Sequence, residues 1–467
     1  MNKHESKPAP YRIEKDILGE VNIPVDAYWG IHTLRARQNF PFSCPKVSED
    51  LIRAYAQVKM ACARANHELG FLNPETASAI ETACQDLIAG KFADQFILSS
   101  LQGGAGTSLN MNVNEVIANR GLELLGYEKG RHPQALDPLL HVNLHQSTND
   151  TYPTALKIAV IMKLKKLSSA IAALQGSLQL KEKEFAGIII MGKTEMQDAV
   201  PITLGSQFAS FAEPIGRDRW RTFKAEERIR TVNIGGTAVG TGLAAPRNYI
   251  FLVIEKLREI TGLGISRSEH LMGETANTDS FVEVSGMLSA HSANLVKVCN
   301  DLRMLHYLGE IQLPPVQAGS SIMPGKINPV ILEACISSAM KAENNDSLIK
   351  RASSSGTFQI NEFIPLIALA LLESLDILTT SDEILSEHVK QITRTGNNQS
   401  NHEDNPAIIT AFLPYIGYHR AEELVMEFRG SGHPHILFLQ FLSDKLGREI
   451  IQKALSPEQL MALGYKR

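Results

Sequence analysis

Apolar residues recur every three or four positions along much of the chain, and the stretches that do so are long. Residues 51–70 and 74–92 carry the first two such patterns, the second opening at Pro74 behind Asn73, where a helix start tolerates proline. The segment 155–186 continues for about 30 residues without proline, and 281–308 does the same. Similar patterns lie near 205–231, 330–350 and 359–390, with Pro214 and Pro365 expected to kink or delimit two of them. At a rise of about 1.5 Å per residue, a helix of ~30 residues is ~45 Å long, so the series predicts an elongated bundle and not a compact α/β domain. Ser285, Gly286, Ser289, Ala290, Ser292 and Ala293 are small enough to let helices approach closely. Helices of this length bury more than one face, which predicts oligomerisation through the bundle.

The flanks read differently. Residues 1–50 are rich in proline and loop formers, and "LGEVNIPVDAYWGIHT" suits short strands or turns. After about residue 395, "TGNNQSNHEDNP" is polar and turn-rich, marking a boundary before a small helical unit. The chain has 467 residues, 44% hydrophobic and 21% charged, which is ordinary globular composition. A formal charge of −4, with acidic and basic residues interspersed, argues against nucleic acid as a partner. Cys44, Cys62, Cys84, Cys299 and Cys335 are scattered without ligand spacing and read as reduced thiols. The polar first residues lack a signal core and no run of about 18 uninterrupted apolar residues occurs, so a cytoplasmic address without membrane contact is expected.

Four polar, irregular stretches interrupt the helical pattern. "LQGGAGTSLNMNVNEVIAN" (101–119) is a glycine-rich turn ending in Thr107 and Ser108; "HVNLHQSTNDTYPT" (141–154) sets Ser147, Thr148 and Asn149 before a long helix. "MGKTEMQDAVPITLG" (191–205) places Thr194 and Glu195 before another, and "GSSIMPGKINPV" (319–330) combines two hydroxyls, Lys326 and Asn328 on a loop kept irregular by glycine and proline. Each alone reads most simply as a helix cap, since Ser, Thr and Asn are preferred there. The glycine-rich stretch 101–119 has neither GxxxxGK[ST] nor GxGxxG spacing, so a nucleotide fold is weakly supported by it. Taken as a set, hydroxyls and amides near helix N-termini together with one lysine suggest a carboxylate-binding site.

These blocks resemble, in order, those of the aspartase/fumarase superfamily, with "GSSIMPGKINP" fitting its signature loop; the likeness extends from about residue 11 to 430. Within the superfamily they resemble the aspartate ammonia-lyase branch, with GGAGTS in place of fumarase's SGTQSN and STND in place of SSND. The resemblance implies a mainly α, three-domain fold: a mixed N-terminal domain over 1–146, a five-helix bundle over 147–395 containing the loop 319–329, and a small helical domain over 396–467. It also implies a homotetramer with a 20-helix core, in which three subunits share each active site.

The implied chemistry is β-elimination from an amino-acid carboxylate, in which the adjacent carboxylate takes up charge as an aci-carboxylate before the amine leaves. Carried over position by position, Ser320 is the general base. Lys326, Asn328 and Thr194 hold the α-carboxylate, while Thr107, Ser147, Thr148 and Ser321 hold the β-carboxylate. Thr107 and Asn149 approach the amino group, Met323 is among the substrate-binding residues, and His145 contacts substrate or packs nearby. No cofactor is required. His433 and His435 lie two apart without a third ligand, so no metal is expected there.

Two departures bear on substrate. Members commonly carry an SGPR-type stretch before the signature loop, and here "DLRMLHYLGEIQLPPVQAGSS" is about five residues shorter. Position 195 is glutamate, where relatives often have His or Gln. Like charges at ~4 Å and an effective dielectric near ~20 cost about 4 kcal/mol, so Glu195 turns away, becomes protonated, or faces a cationic or hydrogen-donating group. The last option fits the branch that releases trimethylamine from ergothioneine to give thiolurocanate. Fumarase-type hydration and a non-catalytic structural relative are the remaining alternatives.

Overall fold

The computed structural model describes residues 10–319, 321–395, 402–430 and 437–464. In chain order it opens with an antiparallel hairpin, β1 (Tyr11–Asp16) and β2 (Gly19–Pro24), paired Tyr11 to Pro24 through Asp16 to Gly19. Helices α1 (Ile31–Asn39), α2 (Glu49–Glu68), α3 (Pro74–Ile88) and α4 (Thr107–Leu124) follow, then the 37-residue α5 (Thr148–Glu184). A second hairpin, β3 (Ile189–Thr194) with β4 (Gln197–Thr203), leads into α6 (Leu204–Ile229). Beyond it, β5 (Thr231–Val232) pairs in parallel with β6 (Ser266–Arg267), on either side of α7 (Arg247–Thr261). Next come α8 (Leu271–Ala276), α9 (Asp279–Tyr307), β7 (Ile311–Gln312), α10 (Val330–Ser353), α11 (Ile364–Lys390) and β8 (Thr393–Arg394), with β7 and β8 antiparallel. Among the described residues that follow are the short helices α12 (Leu413–Ile416), α13 (Tyr418–Gly430), α14 (Phe438–Leu446), α15 (Arg448–Ala454) and α16 (Pro457–Met461).

The chain forms two compact units, one of residues 1–166, 222–289 and 341–376, the other of 167–221, 290–340 and 377–467. In the first, α2 packs against α3, α4 and α7 through a stripe that includes Leu51, Tyr55, Val58 and Cys62, all 2% exposed or less. In the second, Ile408, Phe412, Leu424, Phe438 and Leu442 form a separate apolar cluster under the C-terminal helices.

Each predicted long helix is present, within a few residues at most ends. Pro365 sits at the second position of α11, where no intrahelical N–H is needed. Pro214 was expected to kink or delimit its helix; α6 continues on both sides of it, so it does not delimit the helix. By length and composition α11 could cross a membrane, but 61% of its apolar stretch is buried inside the protein.

Candidate functional site

The glycine-rich turn is an excursion into left-handed backbone: Gly104, Ala105 and Gly106 have φ of +72°, +54° and +88°. The chain then enters α4 at Thr107, whose Oγ1 donates to the Gly104 carbonyl at 2.8 Å and ties the turn to the helix. Thr107 and Ser108 also line a cavity of about 970 Å³ in the first unit, with Met111 and Glu115 of α4 and His32 and Arg35 of α1. Glu115 is buried, and its carboxylate accepts from the backbone N–H groups of Gly30, His32 and Thr33 at the start of α1. Burial pushes it up to about 7, against those hydrogen bonds.

Residues 147–150 form a reciprocal cap on α5. Ser147 Oγ accepts from the Asn149 N–H at 3.2 Å, and the Ser147 N–H donates to Asp150 Oδ1 at 3.0 Å. The other Asp150 oxygen accepts from the N–H groups of Gly235 and Thr237, at 3.1 and 2.9 Å. Asp150 is fully buried, which raises it to about 6 despite those backbone donors. Asn149 is held on two sides: its Nδ2 donates to the Ala238 carbonyl at 2.7 Å, and its own carbonyl accepts from Asn233 Nδ2 at 2.9 Å. The second bond has a clear cause, because Pro153 lacks the N–H that would otherwise reach the Asn149 carbonyl. Thr148 is buried at 8% exposure.

A buried cation underlies this segment. Lys59, on the apolar face of α2, is 0% exposed and donates to Asn143 Oδ1 at 2.9 Å and Gln146 Oε1 at 2.8 Å. Asn143 Oδ1 also accepts from Asn110 and Asn114 of α4, so one amide oxygen gathers α2, α4 and the 141–149 segment. Burial lowers Lys59 to about 8. His145 has φ +61°, with Nδ1 2.7 Å from Asn66 Oδ1 and its ring edge-on to Phe71 at 4.7 Å. It packs, and burial lowers its pKa.

In the second unit, Thr194 and Glu195 do not precede a helix as their sequence context suggested. They lie at the exposed tip of the β3–β4 hairpin, and α6 begins only at Leu204. Thr194 pairs with Gln197, so Glu195 and Met196 alone make the turn, at φ +50° and +60°. Strand pairing outcompeted a helix cap because β3 and β4 bury Ile190, Met191 and Thr203.

The signature loop closes on itself. The Gly319 N–H donates to the Lys326 carbonyl at 2.8 Å, and Asn328 Nδ2 donates to the Gly319 carbonyl at 2.7 Å. A Cβ at Gly319 would stand 2.7 Å from the Asn328 nitrogen, so only glycine fits. Asn328 therefore shapes the loop, which limits its amide for holding substrate. Ser321, Met323 and Lys326 are exposed, and no carboxylate among the described residues pairs with Lys326. Ser320, His433 and His435 lie outside the described residues.

The structure thus gathers Ser147, Thr148 and Asn149 in one unit, with Thr107 beside a cavity of that unit, and places Thr194, Glu195, Ser321, Met323, Lys326 and Asn328 in the other. Sequence reasoning missed Asp150 and Lys59. The first was signalled by the S-x-x-D capping spacing, the second by a lysine inside the apolar stripe of α2. Among the described residues, no group of three or more His, Cys, Asp or Glu side chains is placed to hold a metal.

Comparison with known proteins gives a concordant picture. A family model described as lyase matches residues 19–343. An aspartate ammonia-lyase from a Bacillus species is 43% identical, covering 89% of this chain and 90% of its own. That of Bacillus subtilis (strain 168) is 40% identical over 97% of both chains. The solved fumarate lyase:delta crystallin from Brucella melitensis, bound to cobalt, superposes with a TM-score of 0.91 at 39% identity, covering 97% of this chain and 100% of that one. A class II fumarase from Schistosoma mansoni has a TM-score of 0.88 at 27% identity, covering 97% and 99%.

Proposed function

Because the chain belongs to the aspartase/fumarase superfamily of lyases, we propose that it is an ammonia-lyase converting L-aspartate to fumarate and ammonia. The observation that carries this reading is the identity of 40–43% over 89–97% of the chain to proteins named for that reaction. The exposed Lys326 on a self-closed loop supports it, since its ammonium pairs with no carboxylate among the described residues and faces solvent, where a substrate carboxylate can reach it.

In this reading Ser320 removes the proton from the carbon bearing the β-carboxylate. The C–H electrons pass into that carboxylate as an aci-carboxylate, then form the alkene as the C–N bond breaks and the amine leaves with its electron pair. Fixed donors matter most at the aci-carboxylate stage, where charge is greatest. Ser147, Thr148 and Ser321 are assigned there, with Thr107 shared between the β-carboxylate and the amino group and Asn149 also near the latter. Lys326 and Thr194 bind the α-carboxylate, with Asn328 holding the loop as well as contributing a donor. A homotetramer with shared sites fits apolar side chains exposed on all five long helices: Leu180, Trp220, Met304, Met340 and Ile384.

A second reading rests on Glu195, whose carboxylate stands exposed beside Thr194 at the hairpin tip. There it would accept from an imidazole N–H of a betaine such as ergothioneine. Alkene absorbance, followed with aspartate and with betaines, decides between the two. Turnover of aspartate at the efficiency of an ordinary aspartase removes the second reading, and turnover of betaines alone removes the first. Ser320→Ala should abolish turnover with the oligomer intact; unchanged activity would exclude Ser320 as the base.

A further inference from the structure

We propose that Lys193 is a positioning residue, whose ammonium straps the hairpin tip bearing Thr194 and Glu195 to Glu310 at the foot of the 319–329 loop. The inference rests on the reading above for its kinetic consequence, and on geometry alone for the strap. Lys193 Nζ lies 3.2 Å from Glu310 Oε1 and 3.6 Å from Asp198 Oδ1, its cross-strand neighbour, and donates to the Met191 carbonyl at 2.8 Å.

Both ends of the strap are anchored. At the hairpin end, Ala199 and Val200 oppose the single Gly192, a bulge that re-aims the strand just before Lys193. Asp198 in turn accepts from Asn405 Nδ2 at 2.6 Å, and Asn405 caps the following turn by accepting from the Ala407 N–H. At the other end, α9 stops in a left-handed turn at Gly309, after which the Glu310 N–H donates to the Leu305 carbonyl. The Glu310 side chain is 2% exposed and sits at a helix C-terminus, where a carboxylate is disfavoured and a cation favoured. Ile311 and Leu313 are buried next to it, and β7 pairs with β8, so the stem that leads toward Gly319 is fixed as far as Leu313. The ammonium therefore neutralises a carboxylate that has little solvent, and joins the hairpin that carries Thr194 and Glu195 to the fixed start of the stem that leads to the 319–329 loop.

The test compares wild type with Lys193→Met, Lys193→Arg and Glu310→Gln, after checking fold and assembly of each. Steady-state kinetics with aspartate should show KM raised about tenfold in Lys193→Met, with kcat changed less than about threefold, as expected for loss of one charge-assisted contact that orients a carboxylate binder. Lys193→Arg should restore KM. Hydrogen exchange without substrate should quicken at residues 189–203 and 311–319 in Lys193→Met. Should Lys193→Met not assemble, Glu310→Gln gives the same readouts from the other end. Unchanged KM and exchange, a loss confined to kcat, or failure of arginine to rescue would overturn the proposal. A wild type that turns over no aspartate would defeat the functional reading only, because hydrogen exchange still decides the strap.

Discussion

The ring of Tyr152 occupies the space that any side chain at Gly106 would need: a Cβ there would stand 2.1 Å from Tyr152 Cδ2 and 2.3 Å from Cε2. Tyr152 is 2% exposed, with its ring edge-on to Tyr55 at 5.8 Å. Gly106 also has φ +88°, which an L side chain resists. Gly106→Ala should therefore cost roughly 2–4 kcal/mol, combining overpacking with left-handed strain. Denaturant unfolding measures it. Adding Tyr152→Leu should recover the packing part and leave the backbone part; full recovery would show that φ contributes nothing.

Lys59 offers a different kind of prediction, because its charge is costly and its hydrogen bonds are useful. Burial lowers its pKa to about 8, so Lys59→Met relieves the expense of a buried cation while stripping Gln146 Oε1 and Asn143 Oδ1 of a donor. The two effects oppose, and net stability should change by no more than about 2 kcal/mol. Activity should fall much further, at least about tenfold, because the 143–149 segment, which carries Ser147 and Thr148, loses the contact that holds it in place. Parallel unfolding and kinetic measurements separate the two. Loss of stability with normal kcat/KM in the folded fraction would refute the positioning role.

The hairpin tip predicts a gain of stability. Met196 holds φ +60° in a two-residue turn and is 81% exposed, so little packing is lost on its removal. Met196→Gly should raise stability by about 0.5–1 kcal/mol, as left-handed strain outweighs the entropy of glycine. Thermal unfolding gives the answer, and a lower melting temperature would sink the argument.

How much of this was legible in the sequence depends on the range of the forces concerned. Helices α2, α5, α9, α10 and α11 could be read because a buried helical face repeats along the chain itself. The capping box at Ser147 and Asp150 is equally local, through its S-x-x-D spacing, although Asp150 was missed. The β3–β4 hairpin was not legible: "TEMQ" carries none of the Gly or Asn that such a turn prefers, and the pairing that overrides this preference comes from burial of Ile190 and Met191. Pro214 does not delimit its helix, because burial of Phe208, Phe211 and Ile215 carries α6 past it. The partners of Lys59 and Lys193 lie 84 and 117 positions away, and no spacing rule reaches that far.

His291 provides the test by pH. On α9, it lies with Nδ1 3.0 Å from Asp218 Oδ2 of α6 and Nε2 2.9 Å from Asp382 Oδ2 of α11, all three side chains 2% exposed or less. Burial opposes the imidazolium most strongly, yet the Asp382 charge and the hydrogen bonds to both carboxylates outweigh it and raise His291 to about 10. Other groups at this cluster are Arg221, 2.5 Å from Asp218, Asn294, which donates to Asp218, and Glu383 beside Asp382. With a folded pKa above the unfolded value of 6.5, the stabilisation is full below pH 6.5. It declines as the unfolded chain sheds its proton first, and is gone once pH passes about 10. The span is on the order of a few kcal/mol. His291→Gln should flatten that pH dependence and cost about 3–5 kcal/mol at neutral pH, since two buried carboxylates then face each other without their shared cation. Unfolding free energies across this range, with the ring proton shifts of His291 followed by NMR, supply the measurement. A ring that titrates near its ordinary value would remove the imidazolium from the cluster and with it the pH dependence.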